Sequence, residues 1–291
     1  VSPNDPDVLY CGAENGLYRS ENAGEQWSEV LVGLRVKDIW VSDDGQTILV
    51  VRGAGSRSDG LWVSRDRGGR FDVMTWLMYP TALAVDPDDP NHIFIGSERN
   101  GFRYTTDGQN WAEENQGLPD AVINHLDVKT ADNVTEIFAS TQQGLYRNQI
   151  ANVMEWDNIN PAGNLPVMQT AFSNEDEEGI WAGTGDVSDS DGIWYSEDFG
   201  ANWDVQVWAH EVMAVASTLD RVVFGSNEIG VHESIDNGDH WTHLEEGWRD
   251  YEITDLEIVE TDEATTIYCS TAGSGVVKYI MVDEPQDRPP S

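Results

Sequence analysis

Three kinds of side chain in this sequence could do chemistry: carboxylates, histidines, and arginines set among aromatics. Asp186-Val-Ser-Asp189-Ser-Asp191 brings three carboxylates close together. That spacing offers hard oxygen ligands to Ca²⁺ or a similar cation, without the ligand pattern of a helix–loop–helix calcium site. Glycoside hydrolysis needs two carboxylates across a cleft, but in a chain with 53 acidic residues a pair arises by chance and carries no information. Glu14, Glu98 and Glu228 recur at one point of a repeated turn. They read as turn residues, since an active site is normally unique to one repeat. The six histidines (His92, His125, His210, His232, His240, His243) lack any metal-binding spacing. Cys11 and Cys269 form neither a disulfide framework nor a ligand pair. No nucleophile elbow, phosphate loop or dinucleotide fingerprint is present.

Charge narrows the partners. The formal net charge is −37, which repels nucleic-acid phosphate and anionic lipid. Disorder does not follow, because 12 Trp, 9 Tyr and 7 Phe supply a packed core. Only Lys37, Lys129 and Lys278 are lysines among 16 basic residues. An acid-rich, lysine-poor and aromatic-rich chain suits the interior of a salt-in halophile. In molar salt the Debye length is about 3 Å, and self-repulsion is screened. No apolar run is long enough to span a membrane, and the opening Val-Ser-Pro-Asn-Asp-Pro-Asp has no signal-peptide character. A cytoplasmic protein is expected.

The elements that would position these groups emerge from self-comparison. Val8-Leu-Tyr-Cys-Gly12 then Gly16-Leu-Tyr-Arg-Ser20 returns as Ile93-Phe-Ile-Gly96 then Gly101-Phe-Arg-Tyr104, and as Ile180-Trp-Ala-Gly183 then Gly192-Ile-Trp-Tyr195. Seven such hairpins run along the chain. Most are followed by Ser/Thr-x-Asp-x-Gly-x-x-Trp/Phe. Full copies are Ser64, Asp66, Gly68, Phe71; Ser196, Asp198, Gly200, Trp203; and Ser234, Asp236, Gly238, Trp241. Ser20, Asn22, Gly24 and Trp27 form a copy with Asn for Asp; Asp107 and Trp111 close a copy one residue short; before Trp156 the motif has eroded. The closing aromatics lie 38 to 47 residues apart.

A period near 42 residues with four strands per unit predicts an all-β, seven-bladed β-propeller of four-stranded antiparallel blades. Inner strands are predicted at Val36–Val41, Thr81–Val85, Ile123–Val128, Met168–Phe172, Val212–Ala216 and Ile253–Ile258. One propeller domain is expected over 1–282 and a loose tail over 283–291. Blade one lacks a clear inner strand and blade seven a clear outer one, so residues upstream of Val1 are expected to complete the ring.

The recurring motif resembles the Asp-box of the bacterial-neuraminidase (BNR) repeat. In such families the box is a turn staple away from the ligand site: Asp caps backbone N–H groups, Gly takes a positive φ, and the aromatic packs between sheets. The whole chain is similar to WD40/YVTN/BNR-like proteins and to photosystem II stability/assembly-factor-like proteins of haloarchaea. That resemblance implies a non-enzymatic scaffold or assembly factor with a protein partner and no cofactor. Sialidases share the box, but their Arg-Ile-Pro-type motif is missing here and they usually have six blades. The alternative is a glycoside hydrolase or carbohydrate-binding protein using the central cleft.

The rim supplies the candidate site. Loops joining one blade to the next share a face with the hairpin loops. They carry Arg35, Trp76, Met78, Tyr79, Trp208, His210, Trp248, Arg249 and Tyr251, and the hairpins add Arg52, Arg57 and Arg99. Arginine with aromatics is the composition of an interaction hot spot. Trp76, Trp208 and Trp248 have an equally good second reading as blade packing.

Overall fold

The computed structural model describes residues 1–33, 35–119, 122–131, 134–149, 155–161, 163, 165–173, 178–185, 191–209, 211–244, 252–261 and 264–282. Among them every regular element is a strand, and the strands form seven antiparallel sheets. Blade one holds β1 (Leu9–Ala13), β2 (Gly16–Ser20) and β3 (Ser28–Val32). Blade two holds β4 (Val36–Val41), β5 (Ile48–Arg52), β6 (Gly60–Ser64) and β7 (Asp72–Trp76). Blade three holds β8 (Pro80–Val85), β9 (Ile93–Ser97), β10 (Phe102–Thr105) and β11 (Ala112–Glu113). Blade four holds β12 (Ile123–Ala131), β13 (Val134–Thr141), β14 (Gly144–Gln149) and β15 (Asp157–Asn158). Blade five holds β16 (Val167–Phe172), β17 (Ile180–Thr184), β18 (Gly192–Ser196) and β19 (Asp204–Trp208). Blade six holds β20 (Val212–Ser217), β21 (Val222–Ser226), β22 (Gly230–Ser234) and β23 (Thr242–His243). Blade seven holds β24 (Ile253–Glu260), β25 (Ala264–Thr271) and β26 (Gly275–Val282).

The protein is a seven-bladed β-propeller whose strands run from the axis outward in chain order. Five sheets have four strands. Among the described residues, blade one has no inner strand and blade seven no outer one. Each of the six inner strands carries a bulge at its start, between Val36 and Asp38 in β4 and at the matching place in β8, β12, β16, β20 and β24. A bulge sharpens local twist, as strands converging on an axis require.

The core lies between blades. Leu49, Val51, Leu61, Leu83 and Ile95 pack blade two on blade three, and Phe94, Phe102, Ile123, Leu126 and Trp156 pack three on four. Burying each such side chain stabilises by about 1.5–3 kcal/mol. The sheets approach so closely that the second strand must be bare in places. A Cβ on Gly96 would lie 2.5 Å from Ile123, and one on Gly12 2.6 Å from Val36. Gly183 and Gly225 meet Val212 and Ile253 in the same way.

The Ser-x-Asp-x-Gly turns join third and fourth strands on the face opposite the rim. Ser64 Oγ accepts the Gly68 N–H at 2.9 Å and donates to Asp66 at 2.8 Å, while Asp66 accepts the Arg70 N–H at 2.9 Å. Ser20/Asn22/Gly24, Ser196/Asp198/Gly200 and Ser234/Asp236/Gly238 repeat this pattern. Asp107 holds its shorter turn through the N–H groups of Gln109 and Asn110. The residue before each full-length turn's glycine is also left-handed, as at Arg67 (φ 60°) beside Gly68 (φ 89°). Phe71, Trp111, Trp203 and Trp241 pack into the clusters between blades, and Trp27 donates its indole N–H to Gly24 O at 3.0 Å.

Candidate partner-binding face and central channel

The chain path puts the blade-to-blade loops and the hairpin loops on one face. On blade two the hairpin 53–59 is organised by Asp59. This carboxylate is 1% exposed and accepts the backbone N–H groups of Ala54, Gly55 and Ser56 and the Ser56 hydroxyl. The loop presents Arg57 to solvent and sets Gly55 against the Tyr79 ring. Tyr79 is itself left-handed (φ 57°), held by the Glu98 N–H on its carbonyl, and the exposed Arg99 guanidinium lies 4.4 Å over its ring. A non-glycine residue in that region costs of order 1–3 kcal/mol, and such strain gathers at functional surfaces.

Trp76 ends the outer strand of blade two, pairs with Gly60, and is 56% exposed. Its ring stands edge-on to Trp62 at 6.0 Å. Trp208 does the same in blade five, pairing with Gly192, 57% exposed and edge-on to Trp194 at 5.6 Å. Met78 and Val32 extend the exposed apolar surface of this face. Trp76 and Trp208 are therefore surface groups rather than blade packing.

The structure corrects one rim residue. Arg52 is 4% exposed, its guanidinium is 4.6 Å over Trp62, and it donates to Val32 O at 3.2 Å. It supports the rim from beneath, because the end of β5 points into the blade interface. Arg35 is half-exposed and paired with Glu14 at 2.7 Å. His210, Trp248, Arg249 and Tyr251 lie outside the described residues. So do Asp186 and Asp189 of the acidic loop. Asp191 is buried at 1% exposure, just before Gly192. It occupies the position that Asp59 holds before Gly60.

The channel contains a network that sequence reading did not assemble. The residue following the bulge is polar in four of the six inner strands, Asp38, His125, Gln169 and Asp255, and alanine in the other two, Ala82 and Ala214. Asp38 accepts the N–H of Ile39 and, from the next blade, that of Leu83, both at 2.7 Å. Gln169 accepts the N–H of Val215 in blade six at 3.1 Å. One residue earlier, Thr81 donates to Ile123 O at 2.6 Å and Asn124 to Val167 O at 2.7 Å. These side chains clamp blades two to five each to its successor. His125 pairs with Asp127 at 3.3 Å.

Burial pushes the Asp38 carboxyl up to about 6, against the pull of His125 and the two N–H bonds. Burial also works against the His125 charge, but Asp127, Asp38 and Asp255 outweigh it and push the imidazole up to about 9. The folded chain thus binds the His125 proton more tightly than the unfolded chain. That stabilisation is complete below about 6.5 and is lost as pH rises through about 9. Urea midpoints at fixed salt are expected to fall between these limits in the parent chain, and to fall less in His125→Gln. Parallel curves would reject this assignment.

Seven blades around one axis, with an arginine- and tryptophan-bearing rim, define the class, a propeller with a candidate recognition face. No protein-family profile matches the chain, and no curated protein sequence does. Among solved structures it is similar to an ancestral GH74 enzyme, with a TM-score of 0.72, 15% identity, and 98% of this chain covered. The chain spans 44% of that enzyme's length. It is also similar to YCF48 bound to D1 peptide, with a TM-score of 0.68, 14% identity, and 96% and 91% of the two chains covered. YCF48 from Cyanidioschyzon merolae gives 0.67 and 14% over 95% and 92%. These likenesses establish the propeller fold.

Proposed function

We propose that this chain is a non-catalytic propeller that binds a protein partner through the rim of blades two, three and five. One observation carries the reading. Trp76 and Trp208 occupy the same strand position in two blades, each braced edge-on by a second tryptophan and each more than half exposed. Braced aromatics beside arginine are the usual anchors of binding surfaces. Arg57 and Arg99 add positive charge in a chain of net charge −37, which suits an acidic partner. The likeness to YCF48, solved with a D1 peptide and matched over nearly its whole length, supports an assembly-factor-like scaffold. An acid-rich, lysine-poor composition is consistent with work in a salt-rich cytoplasm.

Affinity purification with mass spectrometry at high salt tests this reading. A variant carrying Arg57→Ala, Trp76→Ala, Arg99→Ala and Trp208→Ala is expected to recover at least about tenfold less partner, since hot-spot truncations cost 2 kcal/mol or more each. Undiminished recovery by a folded variant overturns it.

A further inference from the structure

Blade six carries a pair of histidines that the register, not the sequence spacing, brings together. His232 in β22 pairs with His243 in β23. Leu244 donates its N–H to Val231 O at 3.0 Å, so the next pair along the ladder is the hydrogen-bonded one. His232 and His243 therefore form a non-hydrogen-bonded pair, the kind whose Cα atoms lie only about 4.5 Å apart and whose side chains stand closest. Their ring centres are 4.8 Å apart, and His232 stacks on Phe224 at 5.2 Å. Both histidines are half-buried.

The repeat supplies an internal comparison. In blade three the equivalent pair is Arg103 with Glu113, an ion pair. In blade four Asn158 Nδ2 donates to the Tyr146 hydroxyl at 3.2 Å. In blades two and five Trp62 and Trp194 stand opposite Val73 and Val205. Among the described pairs, only that of blade six sets two imidazoles against each other. His243 Nε2 is buried there with no hydrogen-bond partner among the described residues. A buried nitrogen left unbonded is costly, and such an atom calls for a missing partner.

We propose that His232 and His243 form a two-imidazole site for a first-row transition-metal dication of the zinc, copper or nickel class. Each neutral ring offers one nitrogen lone pair. Two imidazoles on one ion, with metal–nitrogen bonds of about 2.0–2.1 Å at a tetrahedral angle, have ring centres about 5 Å apart, close to the separation found. Imidazole nitrogen selects these metals, whereas the many carboxylates of this chain suit Mg²⁺ and Ca²⁺. The net charge of −37 raises the local concentration of any dication. No group of three or more His, Cys, Asp or Glu is placed to hold a metal among the described residues, so water completes the shell and the ion exchanges. The ion clips β23, a strand of only two residues, to its neighbour β22. This site is separate from the rim and independent of the partner reading.

The probe is Zn²⁺ alone, titrated into the untagged 291-residue chain in molar KCl with excess Mg²⁺ to occupy carboxylates. Calorimetry is expected to show one saturable micromolar site per chain, and zinc is expected to slow amide exchange in β22 and β23. His232→Gln and His243→Gln are each expected to weaken binding at least about tenfold, since each removes one of two ligands. His240→Gln, an exposed histidine bonded to Asp236, is expected to bind as the parent does. With Cu²⁺ as the second probe, electron paramagnetic resonance of the parent is expected to show coupling to two imidazole nitrogens. That readout needs no variant to fold. No saturable binding at submillimolar zinc, equal affinity in His243→Gln, or copper coupled to fewer than two nitrogens each overturns the proposal.

Discussion

Gly192→Ala is expected to destabilise the chain by about 3 kcal/mol, lowering the melting temperature by roughly 6–12 °C for a protein of this size. An added Cβ would stand 2.2 Å from the backbone oxygen of Val207, directly across the ladder. The conflict is with main chain, so no rotamer change relieves it. A bulge in the pairing of β18 with β19 brings that oxygen inward. Gly60 and Gly16 show the same approach, at 2.2 Å to Thr75 O and 2.1 Å to Leu31 O. Gly192 also pairs with Trp208, so the substitution is expected to lower partner recovery as well. Urea denaturation in high salt measures the first effect, and a loss under about 0.5 kcal/mol would mean the ladder yields freely.

Asp59→Ala is expected to cost about 3 kcal/mol, because hydrogen bonds to a charged group are worth about 1.5–3 kcal/mol each and several vanish together. The released hairpin carries Arg57 and seats Tyr79, so partner affinity is expected to fall about tenfold alongside stability. Asp59→Asn keeps one acceptor oxygen and should recover part of both. Burial raises the Asp59 carboxyl, but the Ser56 hydroxyl and three backbone N–H groups more than offset it and hold it below its ordinary range. Its contribution is present above the unfolded carboxyl value and lost as pH falls through the folded one. An acid titration of hairpin amide protection would show this; unchanged protection in Asp59→Ala would refute the staple.

The fold was largely legible because its signals are local. Hairpins such as Ile48–Arg52 with Gly60–Ser64 and the inner strand Val36–Val41 follow from β-branched runs and turn glycines. The inner strands Thr81–Val85 and Met168–Phe172 each begin one residue earlier than expected, at Pro80 and Val167. The site was less legible. Arg52 reads as an exposed arginine from its place in the chain, yet the burial of its guanidinium over Trp62 depends on ring positions fixed only by packing. Asp59 and Asp191 look like two more acids in an acidic chain until their place before Gly60 and Gly192 shows them buried. The channel network joins residues some 45 positions apart, such as Asp38 and Leu83, and no short-range pattern announces it.

That network has a direction. Asp38, Thr81, Asn124 and Gln169 each reach from their own blade to the main chain of the blade that follows. During synthesis, amino end first, the inner strands of blades three to six therefore each meet a neighbour already displaying its polar docking point. Alignment is inherited stepwise from older to younger blades. A strand placed one residue out of step would miss that contact at once, so errors are checked as the ring grows rather than after it closes.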